Sequence, residues 1–265
     1  MKKDTENTKN KYSVPALEKT FVILDHLAKT NRGISLSDLS SELGLPKTSV
    51  FSIMQTLESY NMIRKDSNGL FQLGLKLYSL GMSSLRNLNV KETFVPHLER
   101  LRDETHFTVH LVAYEKGETV CIEKIEGPGT IRFLSYVGER KRMNTSAVGK
   151  AVAAYLPESE LQLVLSKGFS HLTPNSITNE HAFRGNLAQI REYGYAVDDE
   201  EGEIGVRCLG VPIFMEDGFL FGSVSVSTLK SNLPMQKFSD YSNTLIKVGE
   251  KLSRSLGYAG AYPLK

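Results

Sequence analysis

Between residues 14 and 73 the apolar positions recur three and four apart, then give way to two short strand-like runs. Leu17, Phe21, Leu24, Leu27 and Ala28 form one side of a helix predicted over 14–29. Leu36, Leu39 and Leu43 mark a second, and Val50, Ile53, Met54 and Leu57 a third. Gly44-Leu45-Pro46 hinges the second to the third. Pro46 suits a first helical position, where its missing N–H would be unpaired anyway, and Ser35 or Ser37 is available to accept from the first-turn amides of the second helix. Met62–Lys65 and Leu70–Leu73 then flank Asp66-Ser67-Asn68-Gly69, and Asn-Gly supplies the positive φ angles of a tight hairpin.

Helix, hinge, helix and hairpin in this order have the form of a winged helix-turn-helix. The third helix leaves Lys47, Thr48, Ser49, Ser52 and Gln55 on its free face, short or flexible groups that fit a groove as wide as a helix and reach base edges or phosphates. Arg64 and Lys65 of the hairpin are placed for the backbone of an adjacent groove. Helix-turn-helix units also serve as protein-interaction modules. The hinge, polar face and basic hairpin occurring together make double-stranded operator DNA the expected partner.

Farther along, Gly74–Asn89 keeps helical spacing through Leu77, Leu80 and Leu88 and reads as a linker helix, weakened by about 1 kcal/mol at Gly81. A helix is expected over 90–106. Three alternating runs follow, Thr108–Tyr114, Thr119–Ile125 and Thr130–Val137, with turns at Lys116-Gly117 and Gly127-Pro128-Gly129. Helices are expected at Ser146–Leu156, Glu158–Ser166 and Asn179–Tyr193, strands at Tyr195–Asp198, Val206–Phe214 and Phe219–Thr228, and a last helix over Pro234–Leu256. This is an α+β pattern with a mainly antiparallel sheet flanked by helices. The expected division is a disordered tail 1–13, a DNA-binding domain 14–73, a linker helix 74–89 and a second domain 90–260.

Composition narrows the classes. The chain has 265 residues, 40% hydrophobic and 23% charged, enough for two modest domains. Its formal net charge is only +2, and residues 1–72 carry ten Lys and Arg against eight Asp and Glu. So slight a basic excess does not hold DNA tightly at physiological salt, and a homodimer or homotetramer spanning two half-sites is expected. Cys121 and Cys208 show no CxxC spacing, which suits a reducing cytosol; no apolar run is long enough for a membrane span and no signal core opens the chain, so a cytoplasmic location is expected. No metal or cofactor is expected. An enzymatic role for Cys208 or Asp198 finds little support, because none of His106, His110, His171 and His181 flanks a cysteine in a catalytic motif, and burial would make the Cys208 thiol inert.

Three features of the second domain could converge on a small ligand. A helix starts among small residues at Asn144-Thr145-Ser146-Ala147-Val148-Gly149-Lys150, which suits an anion. Gly222–Ser227 alternates so that Ser223, Ser225 and Ser227 share one strand face. The third is the acidic loop Asp198–Glu203 ahead of Cys208.

The order of these pieces resembles the IclR family of bacterial transcription regulators over residues 14–260. The marks are LPKTSVFSIMQTL at 45–57, NTSAVGKA at 144–151 and GYAVDDEEGEIGVRCLGVPIF at 194–214. The resemblance implies a GAF-like C-terminal domain that binds small organic acids and a winged helix-turn-helix that binds palindromic operators as dimers or tetramers; a repressor is expected before an activator, the sense being set by where the operator lies relative to a promoter. By position it implies that Met143, the amides of Ala147 and Val148, and Asp198, Cys208, Ser225 and Ser227 surround a small carboxylate metabolite. An alternative keeps the second domain for oligomerisation alone in a constitutive DNA-binding dimer. Two departures stand out. Phe51-Ser52 occupies the place of a common His-Arg pair in the reading helix, and Arg140-Lys141-Arg142-Met143-Asn144 replaces a Pro and a His before the pocket helix.

Overall fold

The structure, a computed structural model, describes residues 13–30, 32–86, 90–128 and 132–263. It divides into two compact units, residues 1–88 and 89–265. The expected disordered tail lies almost wholly outside the described residues, as does Leu88 of the linker helix.

In the first unit, α1 (Pro15–Lys29), α2 (Leu36–Leu43) and α3 (Lys47–Ser59) precede strands β1 (Ile63–Lys65) and β2 (Phe71–Leu73) and helix α4 (Leu75–Arg86). Ser35 caps α2, its hydroxyl accepting from the Asp38 amide at 3.2 Å and donating to the Asp38 carboxylate at 2.8 Å. Gly44 stops α2 in the left-handed region at φ 62°. Pro46 is the residue just before α3 rather than its first position. Ile23, Leu27, Leu39, Val50, Met54, Leu57, Ile63 and Phe71 form the core.

The expected α1 stripe is only half used. Leu17 is 53% exposed, Phe21 63%, and Ala28 is also exposed, while Ile23 is fully buried. The reason is that α1 packs against α3 and β2, so the wing closes the core from below and only the last turns of α1 reach it. The wing turn also differs. Gly69 alone has positive φ, at 76°, and the loop is held by the Asp66 carboxylate, which accepts from the amides of Asn68 at 2.8 Å and Leu70 at 3.0 Å. Ile34 pairs with Phe71 as a third edge of this small sheet.

The second unit contains α5 (Val90–Thr93), α6 (Val95–Thr105), β3 (Thr108–Glu115), β4 (Glu118–Ile125), β5 (Arg140–Lys141), α7 (Ala147–Ala153), α8 (Glu158–Ser166), α9 (Glu180–Tyr193), β6 (Ala196–Asp199), β7 (Val206–Phe214), β8 (Leu220–Leu229) and α10 (Phe238–Ser255). The sheet runs β5-β4-β3-β8-β7-β6 with every neighbour antiparallel. Helices cover both faces, as successive residues of β7 show. A Cβ on Gly210 would lie 2.8 Å from the backbone of Ala147 in α7, whereas Val211 points to Gly249 in α10. Only glycine permits that approach of β7 to the first turn of α7.

Three expected elements change. The single helix over 90–106 is broken at Phe94, because Pro96 begins a new helix and the fully buried Phe94 ring turns inward. The last helix starts at Phe238 after a 3-10 turn at Met235–Lys237. The strand expected at Thr130–Val137, whose first two residues lie outside the described ones, does not form over 132–137. Segment 132–137 is irregular; the Gly138 amide donates to the Cys121 carbonyl at 2.7 Å, the Glu139 carbonyl accepts from the Cys121 amide at 2.9 Å, and Arg140–Lys141 pairs as a strand with Val120 and Thr119. Its alternation has another cause: Phe133 and Ser135 face a cavity while Leu134 is 91% exposed at the rim.

Candidate functional site

On the first unit, Lys47, Thr48, Ser52 and Gln55 are exposed on α3 and Ser49 is half-buried. Phe51 shares that face. The Ser52 hydroxyl donates back to the Thr48 carbonyl at 3.1 Å, so its lone pairs are what it offers outward. Arg64 donates to the Gln72 side chain at 2.9 Å. Lys65 pairs with Glu58 at 3.4 Å and lies 4.9 Å from the centre of the Phe71 ring. Exposed pairs of this kind contribute at most about 1 kcal/mol and exchange readily for phosphate.

The second unit encloses a cavity of about 390 Å³ between the sheet, the first turn of α7 and residues 133–142. Ala147, Val148, Asp198, Cys208, Ser225 and Ser227, drawn from α7, β6, β7 and β8, all line it. Met143 does not. It is 1% exposed and belongs to the core with Phe183 and Leu187, because the 3-10 turn Met143–Thr145 ahead of α7 directs it behind the helix. It was expected in the pocket and is not among the residues that line the cavity.

At the head of α7 the Ser146 hydroxyl accepts from the Gly149 amide at 3.1 Å. The amides of Ala147 and Val148, ahead of the first intrahelical acceptor, have none within the helix. Asp198 is buried, with one carboxylate oxygen accepting from the amides of Glu201 at 2.8 Å and Gly202 at 3.4 Å. Burial raises its pKa, and those bonds and the Lys150 charge oppose the shift. Lys150, fully buried on α7, holds both carboxylate oxygens of Glu201 at 2.5 and 2.6 Å. The Glu201 carbonyl accepts from the Ser176 hydroxyl at 2.7 Å. One buried ion pair therefore ties the acidic loop to the pocket helix.

His110, on β3, belongs to this cavity too. Its Nε2 lies 2.7 Å from the Ser135 hydroxyl and its Nδ1 3.3 Å from that of Ser227. Burial first, then the charges of Lys141 and Lys124, pushes its pKa down to about 3, so the imidazole is neutral. Burial likewise pushes the Cys121 thiol up to about 11 and raises Cys208 further, with the Asp198 charge adding to it. Neither cysteine supplies a thiolate, in keeping with the expectation for Cys208. The hydroxyl of Ser225, a residue 3% exposed, has no hydrogen-bond partner among the described residues.

Of the three cations in the departing segment, Arg140 is held by Glu115 at 2.6 Å and Glu118 at 3.2 Å, and Arg142 donates to the Lys167 carbonyl at 2.6 Å. Lys141 pairs with Glu139 at 3.3 Å. All three line the cavity as a basic rim above an acidic, hydroxyl-rich floor. His110, Ser135 and Cys121 were not among the residues expected there. For His110 a signal existed in the sequence, a polar residue in the alternating run Thr108–Tyr114. Among the described residues no cluster of three or more His, Cys, Asp or Glu could hold a metal ion, and no helix is long and apolar enough to cross a membrane.

A helix-turn-helix unit with a polar reading face, carried in one chain with an antiparallel-sheet domain, defines a DNA-binding transcription regulator. Family models agree along the chain: residues 16–67 match the IclR helix-turn-helix domain and residues 82–254 the C-terminal domain of the bacterial transcriptional regulator IclR. The chain belongs to the IclR family, whose members are regulators rather than enzymes. It is 33% identical to the HTH-type transcriptional regulator XynR of Escherichia coli K12, over 92% of this chain and 98% of that protein. It is 29% identical to the transcriptional repressor AllR of the same strain, over 91% and 90%. The Thermotoga maritima IclR structure superposes with a TM-score of 0.71 at 34% identity, over 91% of this chain and 98% of that one. An IclR homologue from Microbacterium hydrocarbonoxydans, complexed with 4-hydroxybenzoate, shares the fold with a TM-score of 0.78 at 20% identity, over 91% and 98%.

Proposed function

We propose that this regulator is a repressor whose hold on its operator is controlled by a small carboxylate metabolite bound in the C-terminal cavity, and that it works in the cytoplasm as a homodimer or homotetramer. The observation that carries the reading is the convergence of six residues, far apart in sequence, on one enclosed space. The amides of Ala147 and Val148 take the carboxylate, and Asp198, Cys208, Ser225 and Ser227 bond the remainder of the molecule. The amide pair suits an anion, and the unpartnered Ser225 hydroxyl suits a polar group beside it. The homologue complexed with 4-hydroxybenzoate supports an acid as the ligand class, and AllR supports the repressing sense.

On the DNA side, Lys47, Thr48, Ser49, Ser52 and Gln55 enter the major groove while Arg64 and Lys65 grip phosphates. Control requires the acid to bind the DNA-competent and incompetent arrangements with different affinity. The test is fluorescence anisotropy on duplexes from the gene's own upstream region, titrated with a panel of aliphatic, hydroxylated and aromatic carboxylates. At least one acid is expected to raise the melting temperature and weaken operator binding at least fivefold, and Asp198→Ala should abolish both effects. DNA affinity unmoved by every acid would leave the constitutive oligomer as the correct reading.

A further inference from the structure

We propose that Phe51 reads the methyl group of a thymine in the major groove of the operator. Phe51 lies outside the hydrophobic core of its unit and is 54% exposed in the middle of α3. Lys47 and Gln55 are four residues to either side on the same helical row, and Thr48 and Ser52 adjoin it; all four are exposed polar side chains. Each is a donor or acceptor suited to a base edge or phosphate. Phe51 alone offers neither, so it contributes nothing to hydrogen-bonded readout and leaves much of a ring in water when DNA is absent.

Base chemistry selects the occupant. Guanine, adenine and cytosine present mainly nitrogen and oxygen atoms or amino groups to the major groove, and among the four bases only thymine adds a methyl group there, at C5. A phenyl ring gains by burying that methyl and leaves the polar edge of any other base desolvated without a partner. The geometry accommodates this role. Four residues of α-helix advance about 6 Å, against about 3.4 Å for one base-pair step, so Lys47, Phe51 and Gln55 address positions nearly two base pairs apart along the groove. The polar neighbours set the register within which the ring meets its thymine.

The test uses the full-length protein. Random-sequence duplexes are selected at low salt to obtain a preferred site, and each invariant thymine in it is then replaced by deoxyuridine, which removes only the methyl. Replacement in one half-site is expected to weaken wild-type binding about fourfold, the effect of one buried methyl, and replacement in both half-sites about fifteenfold. Phe51→Ala should bind the thymine and deoxyuridine duplexes equally while melting at the wild-type temperature.

Wild-type affinity unchanged at every deoxyuridine position, or a selected site with no invariant thymine, would overturn the proposal. So would a lowered melting temperature or a changed oligomeric state in Phe51→Ala, since the ring would then pack within the fold or against a second copy. Failure of the wild type to select any duplex would instead contradict DNA binding itself, which separates the two failures.

Discussion

His110 owes its chemistry to placement. In an unfolded chain its imidazole titrates near 6.5, whereas between Ser135 and Ser227 it stays neutral down to about 3. The unfolded chain therefore takes up the proton first, so the contribution of His110 to stability is complete above pH 6.5 and is lost progressively as pH falls toward 3. Relative to His110→Phe, the wild type is expected to lose about 2 kcal/mol between pH 7 and pH 5, read from urea unfolding at both values. The comparison with the variant is needed because Asp198 and Glu201, both raised by burial, act in the opposite sense. Lys150 invites a second measurement. Lys150→Met strands the Glu201 carboxylate in the interior and should cost about 3 to 5 kcal/mol, whereas Lys150→Met with Glu201→Leu should recover most of the loss. A double variant no more stable than the single one would mean that the pair is not what anchors the acidic loop.

At the scale of elements, the proposed function gives base contacts to α3 and phosphate contacts to the wing. Arg64 and Lys65 sit on exposed strand β1 with weakly held partners, so Arg64→Ala with Lys65→Ala should leave the melting temperature nearly unchanged. The same change should lower affinity on all sequences and reduce the slope of log affinity against log salt by about two for each chain that contacts the DNA. Salt titrations with an unchanged slope would remove both residues from the phosphate contacts. Helices α2 and α3 and their hinge were legible because each signal was local: leucines at helical spacing, a serine cap, a left-handed glycine. Residues 132–139 misled for a physical reason, since alternation requires only that one side be apolar-facing, and a cavity satisfies it as well as a partner strand does. The break at Phe94 carries a local signal as well, Pro96 in the first turn of α6.

For the whole molecule, the decisive quantity is how many copies bind together. A net charge of +2 leaves one chain with little electrostatic hold on DNA, and the first unit exposes Val14 just before α1, Leu17 and Phe21 on α1, and Leu75 and Tyr78 on α4. Paired between copies, those faces would leave water and double the DNA contacts. Sedimentation equilibrium at micromolar concentration is expected to give a dimer or tetramer, and Leu17→Glu with Phe21→Glu should lower the association state and the operator affinity together. A wild type that is monomeric at that concentration would contradict the assembly.

Sequence by itself determined what depends on near neighbours. Periodicity encoded the helices of the first unit, Gly44 and the Asp66–Gly69 turn encoded its bends, and alternation put Ser225 and Ser227 on one strand face. Tertiary structure alone decided which residues meet across the chain. His110 reaches Ser227 because β3 pairs antiparallel with β8 in a register that sets Thr108 opposite Ser227, and a slip of one residue would turn the ring to the other face of the sheet. Met143 was assigned to the cavity by position but to the core by a single 3-10 turn. Long-range register and the direction of a side chain follow from the packing of the whole domain, and no local pattern carries them.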